Sequence, residues 1–111
     1  MMYQIQISRK AEEDLRNIFE YIAKELQAFQ SAADQLSRLE KAIFSLEELP
    51  NRYRIYSAQP WKSRGLRVMP VDHYLVFYIP DSARQTVEII RVMYGGRDIS
   101  AQLKRVTDTE Q

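Results

Sequence analysis

The chain lacks cysteine altogether and has one histidine among its 111 residues. Without thiols it can form no disulfide and offers no thiolate nucleophile, which fits a reducing compartment. A single imidazole supplies too few ligands for the usual zinc site, which takes four cysteine or histidine side chains. The sequence also has no P-loop and no dinucleotide-binding fingerprint. We therefore expect neither a bound metal nor another cofactor.

Long apolar segments are also missing. The longest apolar runs are far shorter than the roughly 20 residues that a membrane-spanning helix needs. The opening segment, MMYQIQISRK, contains no apolar core of the kind found in signal peptides. We expect a cytoplasmic protein with no membrane partner. At this length we also expect one domain, residues 1–106, followed by a frayed tail, residues 107–111.

The charge is unevenly distributed, although the net charge is only +1. Residues 1–50 contain 6 basic and 9 acidic residues, whereas residues 51–111 contain 10 basic and 6 acidic residues. Eight of the ten basic residues in the second half are arginines, whose guanidinium groups suit phosphates and carboxylates. The second half is therefore a candidate surface for a polyanion or an acidic protein, or else a solvated surface of mixed charge.

The first half of the chain has the pattern of one strand followed by two helices. Residues 3–7 (YQIQI) alternate apolar and polar side chains, which predicts a half-buried strand near a sheet edge. Ser8 is a candidate N-cap for the first helix. Ser31 with Asp34 resembles a capping box for the second helix, and Pro50 ends it.

Both helices are amphipathic, with apolar side chains at the spacing of one helical face. We expect these faces to be buried: Ala11, Leu15, Ile18, Phe19, Ile22, Ala23 and Leu26 in the first helix, and Leu36, Leu39, Ile43, Leu46 and Leu49 in the second. Two such helices with a short link form a helical hairpin, which needs a surface to cover.

The second half has the pattern of three strands joined by short connections. The strands are expected at residues 66–69, 74–79 and 86–94, with connections at 70–72 and 80–83 that contain proline and aspartate. The middle run, YLVFYI, has no polar position, which is typical of a central strand covered on both faces. Three strands on short links predict an antiparallel meander.

The last strand runs into Gly95 and Gly96, which predict a turn, and Asp98 is a candidate N-cap for a short helix over residues 99–104. Together the elements predict an α+β fold. It has an N-terminal strand, a helical hairpin packed on one face of a largely antiparallel four-stranded sheet, and a short C-terminal helix.

The connector before the meander, residues 51–65, interleaves aromatic and basic side chains: Tyr53, Tyr56 and Trp61 lie among Arg52, Arg54, Lys62 and Arg64. This combination can stack bases while it neutralises phosphates, and it can equally serve as packing beneath a loop. Lys62 and Arg64 are therefore candidate nucleic-acid contacts.

Several segments, in this order and spacing, resemble the RelE/ParE superfamily of bacterial toxins. They are the first helix (AEEDLRNIFEYIAKEL), the link LPNRY, and the segments GLR, YLVFY and IRVMYGGRD of the meander. The resemblance covers residues 2 to about 104, nearly the whole chain. It implies the α+β fold predicted above.

The resemblance also implies a function, the toxin of a type II toxin–antitoxin module, which arrests bacterial growth when freed from its antitoxin. RelE-like members cut mRNA in the ribosomal A site, whereas ParE-like members interfere with DNA gyrase and need no catalytic residues. The RVMYGGRD segment is more similar to the ParE-type pattern and narrowly favours gyrase. The alternatives are an mRNA-cleaving endoribonuclease, and a non-toxic relative that only binds its antitoxin and represses its operon.

The nuclease hypothesis requires a base, cations at the scissile phosphate and an acid for the leaving oxygen. The resemblance places Arg67 on the strand that carries phosphate-contacting residues in RelE-like toxins. It also places Leu75 where those toxins have a catalytic arginine, so that group is missing. His73 is the candidate base, because histidine is the side chain that most often takes up a proton near neutral pH, although an exposed turn histidine is the commoner situation.

The remaining candidates lie in and after the last strand. Arg91 and Arg97 are candidate cations for an anionic transition state, and Tyr94 is a candidate acid or stacking group. Arg91 could instead pair with Glu88 or Asp98. As nucleic-acid contacts the full candidate set is Lys62, Arg64, Arg67, Arg91 and Arg97.

The expected partners are an antitoxin and a target. An arginine-rich sheet beside an apolar helical groove suits an acidic amphipathic segment that folds on binding. The target would be DNA gyrase or the ribosome with its mRNA. A homodimer and a toxin–antitoxin hetero-oligomer are the alternative assemblies.

Overall fold

The computed structural model of the protein describes residues 2–96 together with Ile99, Ala101 and Leu103. In chain order the elements are β1 (Gln4–Ile7), α1 (Arg9–Glu20), a π-helical turn (Tyr21–Glu25), α2 (Phe29–Phe44), two 3₁₀ turns (Ser45–Glu47 and Pro50–Arg52), α3 (Trp61–Arg64), β2 (Arg67–Val71), β3 (Tyr74–Asp81) and β4 (Thr86–Tyr94).

The C-terminal part of the prediction is covered only in part. Ile99, Ala101 and Leu103 are helical. The rest of the expected helix, its Asp98 cap and the tail at 107–111 lie outside the described residues. Within the described part of the chain, no helix is long and apolar enough to cross a membrane.

The four strands form one sheet in the order β1-β4-β3-β2. β2, β3 and β4 make the predicted antiparallel meander, and β1 pairs with β4 in parallel at one edge. β3 is hydrogen-bonded on both sides, as its apolar sequence indicates. The fold class is therefore confirmed, including the position of the N-terminal strand at an edge.

The first connection in the meander is shorter than predicted. Pro70 belongs to β2, where it pairs with Leu75, and only Asp72 and His73 remain in the turn. Proline is tolerated there because β2 is the outer strand of the sheet, where a missing N–H removes no ladder bond. Asp72 takes the positive φ of 55° that this two-residue turn demands, which aspartate adopts more readily than most residues.

One of the two predicted helix starts is correct. Ser8 caps α1, since its Oγ accepts a hydrogen bond from the Ala11 amide at 3.0 Å and donates one to the Ile90 carbonyl of β4 at 3.0 Å. The predicted capping box of the second helix is wrong. α2 begins at Phe29, and Asp34 accepts from the Gln30 side chain at 3.0 Å instead.

The core lies on both faces of the sheet. On one face the helices bury their apolar side chains against the strands: Ala11, Leu15, Leu39, Ile43 and Leu46 against Met69, Val76, Tyr78, Val87, Ile89 and Val92. The second face carries another buried cluster: Trp61, Leu66, Val68, Phe77, Ile90, Met93 and Leu103. The helical hairpin on one face is thus confirmed, and α3 with Leu103 covers the other.

Two positions predicted to be buried are exposed. Leu26 is 58% exposed because the hydrogen bond from its amide to the Tyr21 carbonyl closes a π-helical turn, which rotates later side chains off the α-helical stripe. Leu49 is 76% exposed because α2 ends at Phe44, so the helical spacing no longer applies five residues later.

A buried ion pair joins α1 to β4. Arg91 donates to both carboxylate oxygens of Asp14, at 2.7 and 2.9 Å, and the Val92 amide donates to the same carboxylate at 2.9 Å. The two side chains are only 8% and 11% exposed. β1 pairs with β4 only as far as Ile89. Beyond that residue the Asp14 carboxylate, and not β1, accepts a hydrogen bond from the edge of β4. The carboxylate that holds Arg91 is therefore Asp14, which the sequence did not indicate, and Asp98 lies outside the described residues.

A second buried bond holds the chain that follows α2. Tyr78 is fully buried, and its hydroxyl donates to the Pro50 carbonyl at 2.5 Å. Burial raises the pKa of Tyr78 from 10.0 to about 12. The phenol is therefore a neutral donor that ties residues 49–54 to β3.

We expect Asp14→Ala to lower the free energy of unfolding by about 3–5 kcal/mol, because Arg91 would stay buried without its carboxylate. Urea denaturation measures this loss. The double variant Asp14→Leu with Arg91→Met should recover most of it. Glu13→Gln is the matched control, since its ion pair with Lys10 is 42% exposed and contributes less than about 1 kcal/mol. A loss equal to that of the control would contradict the role assigned to Asp14.

We expect Tyr78→Phe to cost about 1–2 kcal/mol at neutral pH, because the Pro50 carbonyl loses its donor. The raised pKa adds a pH dependence. The stability it contributes is complete below the ordinary value of 10.0 and is lost as the pH rises towards about 12. Urea denaturation at pH 7 and pH 11 should show a smaller alkaline loss for the variant. Parallel losses in both proteins would contradict this assignment.

Candidate functional site

A cleft of about 930 Å³ opens between the helical hairpin and the sheet. We call it the hairpin cleft. One wall consists of α1, the π-helical turn and part of α2, and the other consists of the start of β3 and the last four residues of β4. The Asp14–Arg91 pair lies in it. The position of α1 on β4 therefore decides the width of this cleft.

Three tyrosines line the hairpin cleft: Tyr21, Tyr74 and Tyr94. The rings of Tyr74 and Tyr94 meet edge to face with their centroids 6.0 Å apart. Burial raises the pKa of Tyr74, with smaller contributions from Tyr94 and Tyr21. Tyr94 is 50% and Tyr21 57% exposed, so both rings offer surface to an incoming group. This wall can take an apolar or aromatic side chain.

Polar side chains connect the hairpin to the β2–β3 turn at the rim of the cleft. The Asp72 carboxylate accepts from Arg38 Nε and from Gln35 Nε2, each at 2.9 Å. The bond from Arg38 and then that from Gln35 hold the pKa of Asp72 below its ordinary value. His73 lies next to this group with an exposed side chain. The charges at the rim are thus largely compensated within the protein.

The predicted catalytic residues are only partly brought together. His73, Arg91 and Tyr94 all line the hairpin cleft, but Arg91 is held by Asp14. Arg67 begins β2, and its Nη1 donates to the carbonyls of Asn51 and Tyr53 at 3.0 and 2.6 Å. His73 follows the other end of β2, which puts about 13 Å or more between their backbones.

The predicted nucleic-acid contacts are also dispersed. Lys62 and Arg64 lie on α3, and the Arg64 guanidinium sits 5.0 Å from the centroid of the buried Trp61 ring. Arg97 lies outside the described residues. Trp61 is buried, and Tyr53 and Tyr56 are partly buried against the two core clusters, so the aromatic residues of the connector contribute to packing.

Sequence reasoning missed the side chains that build the hairpin cleft, notably Asp14, Gln35, Arg38 and Asp72. One signal was available: Asp14 is three residues after Ala11 and four before Ile18, within the apolar stripe of α1. A carboxylate at such a position needs a buried partner. No three acidic or imidazole side chains of the described residues are grouped so that they could hold a metal ion.

The fold of the chain is similar to that of several solved toxin and toxin–antitoxin structures. It superposes on a structure of the chromosomal ParDE system of P. aeruginosa with a TM-score of 0.70 and 16% identity, covering 84% of this chain and 96% of that one. The RelBE2 complex of Mycobacterium tuberculosis gives 0.63 and 20%, covering 85% and 99%. A mutant of the E. coli toxin RelE gives 0.62 and 14%, covering 95% and 98%. At these identities the likeness concerns the fold alone.

None of the curated protein sequences compared with this chain matches it. The comparison with family profiles is more specific than the structural likeness. A family profile does match residues 5–99 of the 111, and that family is described as "ParE toxin of type II toxin-antitoxin system, parDE". The predicted resemblance to the RelE/ParE superfamily is confirmed, and the chain belongs to the ParE family of type II toxin–antitoxin toxins.

Proposed function

We propose that this toxin arrests growth by binding DNA gyrase and has no nuclease activity of its own. The observation that carries the proposal concerns the hydrogen bonds of Arg67 and Arg91, the two described arginines on which RNA cleavage would depend. Arg91 is bound to Asp14 in a buried pair, and Arg67 is bound to two backbone carbonyls. Neither guanidinium is presented to a scissile phosphate.

The surroundings of Leu75 support the same proposal. This residue stands where the resemblance leads one to expect an arginine, and it packs against the apolar cluster of Trp61, Phe77 and Met93. RNA cleavage needs cations close to the reacting phosphate to stabilise its developing charge. An apolar cluster at that point favours a toxin that acts through contacts with a protein.

RNA cleavage is the second candidate, and one observation favours it. His73 and Tyr94 line the same cleft, so a base and an acid are available on one surface. In this alternative a phosphate would have to recruit a cation from the rim, such as Arg38, which is 53% exposed and bound to Asp72.

We further infer that the hairpin cleft receives the antitoxin. The similar structures from P. aeruginosa and M. tuberculosis are described as toxin–antitoxin assemblies. In this chain the cleft combines exposed tyrosines and Leu26 with a rim that carries Lys10 and Arg38. An acidic amphipathic segment would bury its apolar face against the tyrosines, and its carboxylates would compete with Glu13 and Asp72 for Lys10 and Arg38 at the rim.

The target can be tested by pulse labelling of bacteria after induction of the toxin without its antitoxin. We expect DNA synthesis to fall before protein synthesis. His73→Ala and Tyr94→Phe should arrest growth to within about twofold of the wild type, because binding to gyrase requires no proton transfer.

Early collapse of protein synthesis, together with loss of arrest in His73→Ala, would replace the gyrase proposal by RNA cleavage. Normal incorporation of both labels would instead indicate a relative that has lost its toxicity.

The antitoxin site can be tested with Leu26→Asp. Leu26 is exposed, so the fold should persist, while a carboxylate on the apolar wall should weaken binding of the product of the adjacent open reading frame by about tenfold or more. Isothermal titration calorimetry measures the affinity. Ser82→Asp adds the same charge in the exposed turn at the far end of β3 and should leave the affinity unchanged. Equal affinities for both variants would exclude the cleft as the site.

A further inference from the structure

Leu49 is held in solvent by a strained backbone. It is the most exposed of the large hydrophobic side chains in the described chain, at 76%. Its φ and ψ are 50° and 56°, in the left-handed region that a leucine rarely adopts. It also precedes Pro50, and a residue before proline normally takes an extended backbone. Strain of this kind persists only where the surrounding structure enforces it.

Four hydrogen bonds enforce this conformation. The Tyr78 hydroxyl donates to the Pro50 carbonyl, and Arg67 Nη1 donates to the Asn51 carbonyl. Arg52 reaches back with Nη1 to the Glu48 carbonyl at 3.0 Å and with Nη2 to Ser45 Oγ at 2.7 Å. We call residues 48–54 the Leu49 loop. These side-chain hydrogen bonds keep the loop rigid. A partner would therefore find Leu49 already in its bound position, and binding would cost little conformational entropy.

The charge around Leu49 is asymmetric. Glu47 and Glu48 precede it on the side of α2, whereas Arg52, Arg54 and Arg67 follow it on the side of β2. The contacts of Arg52 and Arg67 go to backbone carbonyls, a serine hydroxyl and the Tyr53 ring. None of the ion pairs within the described part of the chain includes these arginines. The charges of Arg52 and Arg54 are therefore available to an acidic partner, whereas Arg67 is held by the Asn51 and Tyr53 carbonyls.

We propose that the Leu49 loop is the surface with which the toxin binds its protein target. The complementary site is an apolar pocket for the Leu49 side chain, with carboxylates along the edge that faces Arg52 and Arg54. An aliphatic side chain in the centre fits a folded protein, because a base would need an aromatic ring on which to stack. Buried anchors with charged surroundings are typical of interface hot spots.

This inference rests on the proposed function and adds the surface that carries it. The Leu49 loop is separate from the hairpin cleft, because Pro50 contacts Tyr78 whereas the cleft is lined by Tyr74 at the start of β3. Four residues of strand correspond to about 13 Å. Antitoxin and target would thus use different parts of the toxin.

The test uses the full chain with three changes of the same residue. Leu49→Asp should abolish growth arrest and raise the half-inhibitory concentration for purified gyrase in a supercoiling assay by about tenfold or more. Leu49→Gly should do the same while its melting temperature equals or exceeds that of the wild type, because glycine adopts positive φ without a steric cost. Leu49→Met, which keeps an apolar side chain, should retain arrest.

Phe29→Asp is the matched control, since Phe29 is 68% exposed and lies at the other end of α2, about 24 Å away along the helix. It should arrest growth as the wild type does. Leu49→Asp and Leu49→Gly should bind the antitoxin as the wild type does. Full arrest by a folded Leu49→Asp variant would overturn the inference. Loss of arrest in Phe29→Asp as well would overturn it too, because the effect would not be local.

The readout separates this inference from the proposed target. Growth arrest is measured whichever macromolecule is attacked, so a toxin that stops protein synthesis first would refute the gyrase proposal. Loss of that arrest in Leu49→Gly would still support the loop as the target surface. A wild-type chain that causes no arrest would overturn both.

Discussion

The buried pair of Asp14 and Arg91 is the interaction on which the rest of this toxin depends. It joins the first helix to the last strand where the pairing of β1 has ended, and the same carboxylate accepts the Val92 amide. Both residues lie in the hairpin cleft, so the pair also sets the position of the two cleft walls. A charge pair with so little exposure stabilises the fold only while it is complete. The arginine that suggests catalysis in the sequence is thus part of the framework.

The positions of the two surfaces proposed for antitoxin and target follow from how the sheet is covered. The helical hairpin lies on one face and leaves a tyrosine-lined cleft where it passes the end of the sheet. The chain after α2 is tied down by Tyr78 and Arg67, which leaves Leu49 in solvent. One surface is a cleft with balanced charges, and the other presents the exposed Leu49 beside Arg52 and Arg54. That difference suits a partner that folds on binding in the first case and a preformed partner in the second.

Local patterns predicted most of the fold. The alternation at residues 3–7, the wholly apolar run of β3 and the Ser8 cap each depend on neighbours in sequence, and each is found in the structure. Predictions failed where the backbone departed from regular spacing. The π-helical turn displaced Leu26, α2 began two residues before the expected cap at Ser31, and the end of α2 released Leu49. The candidate site was predicted less well than the fold, because its hydrogen bonds and ion pairs join residues that are far apart in the chain.

The sequence by itself determined the α+β class, the meander and the membership of a toxin family, because hydrophobic period and motif order are properties of local chain segments. Only the tertiary structure decided what each polar side chain does. Asp14 and Arg91 are 77 residues apart, and Gln35 and Asp72 are 37 apart. The choice among several possible carboxylates for one arginine depends on which strand edge a helix crosses. That choice is made by packing in three dimensions, which no periodicity encodes.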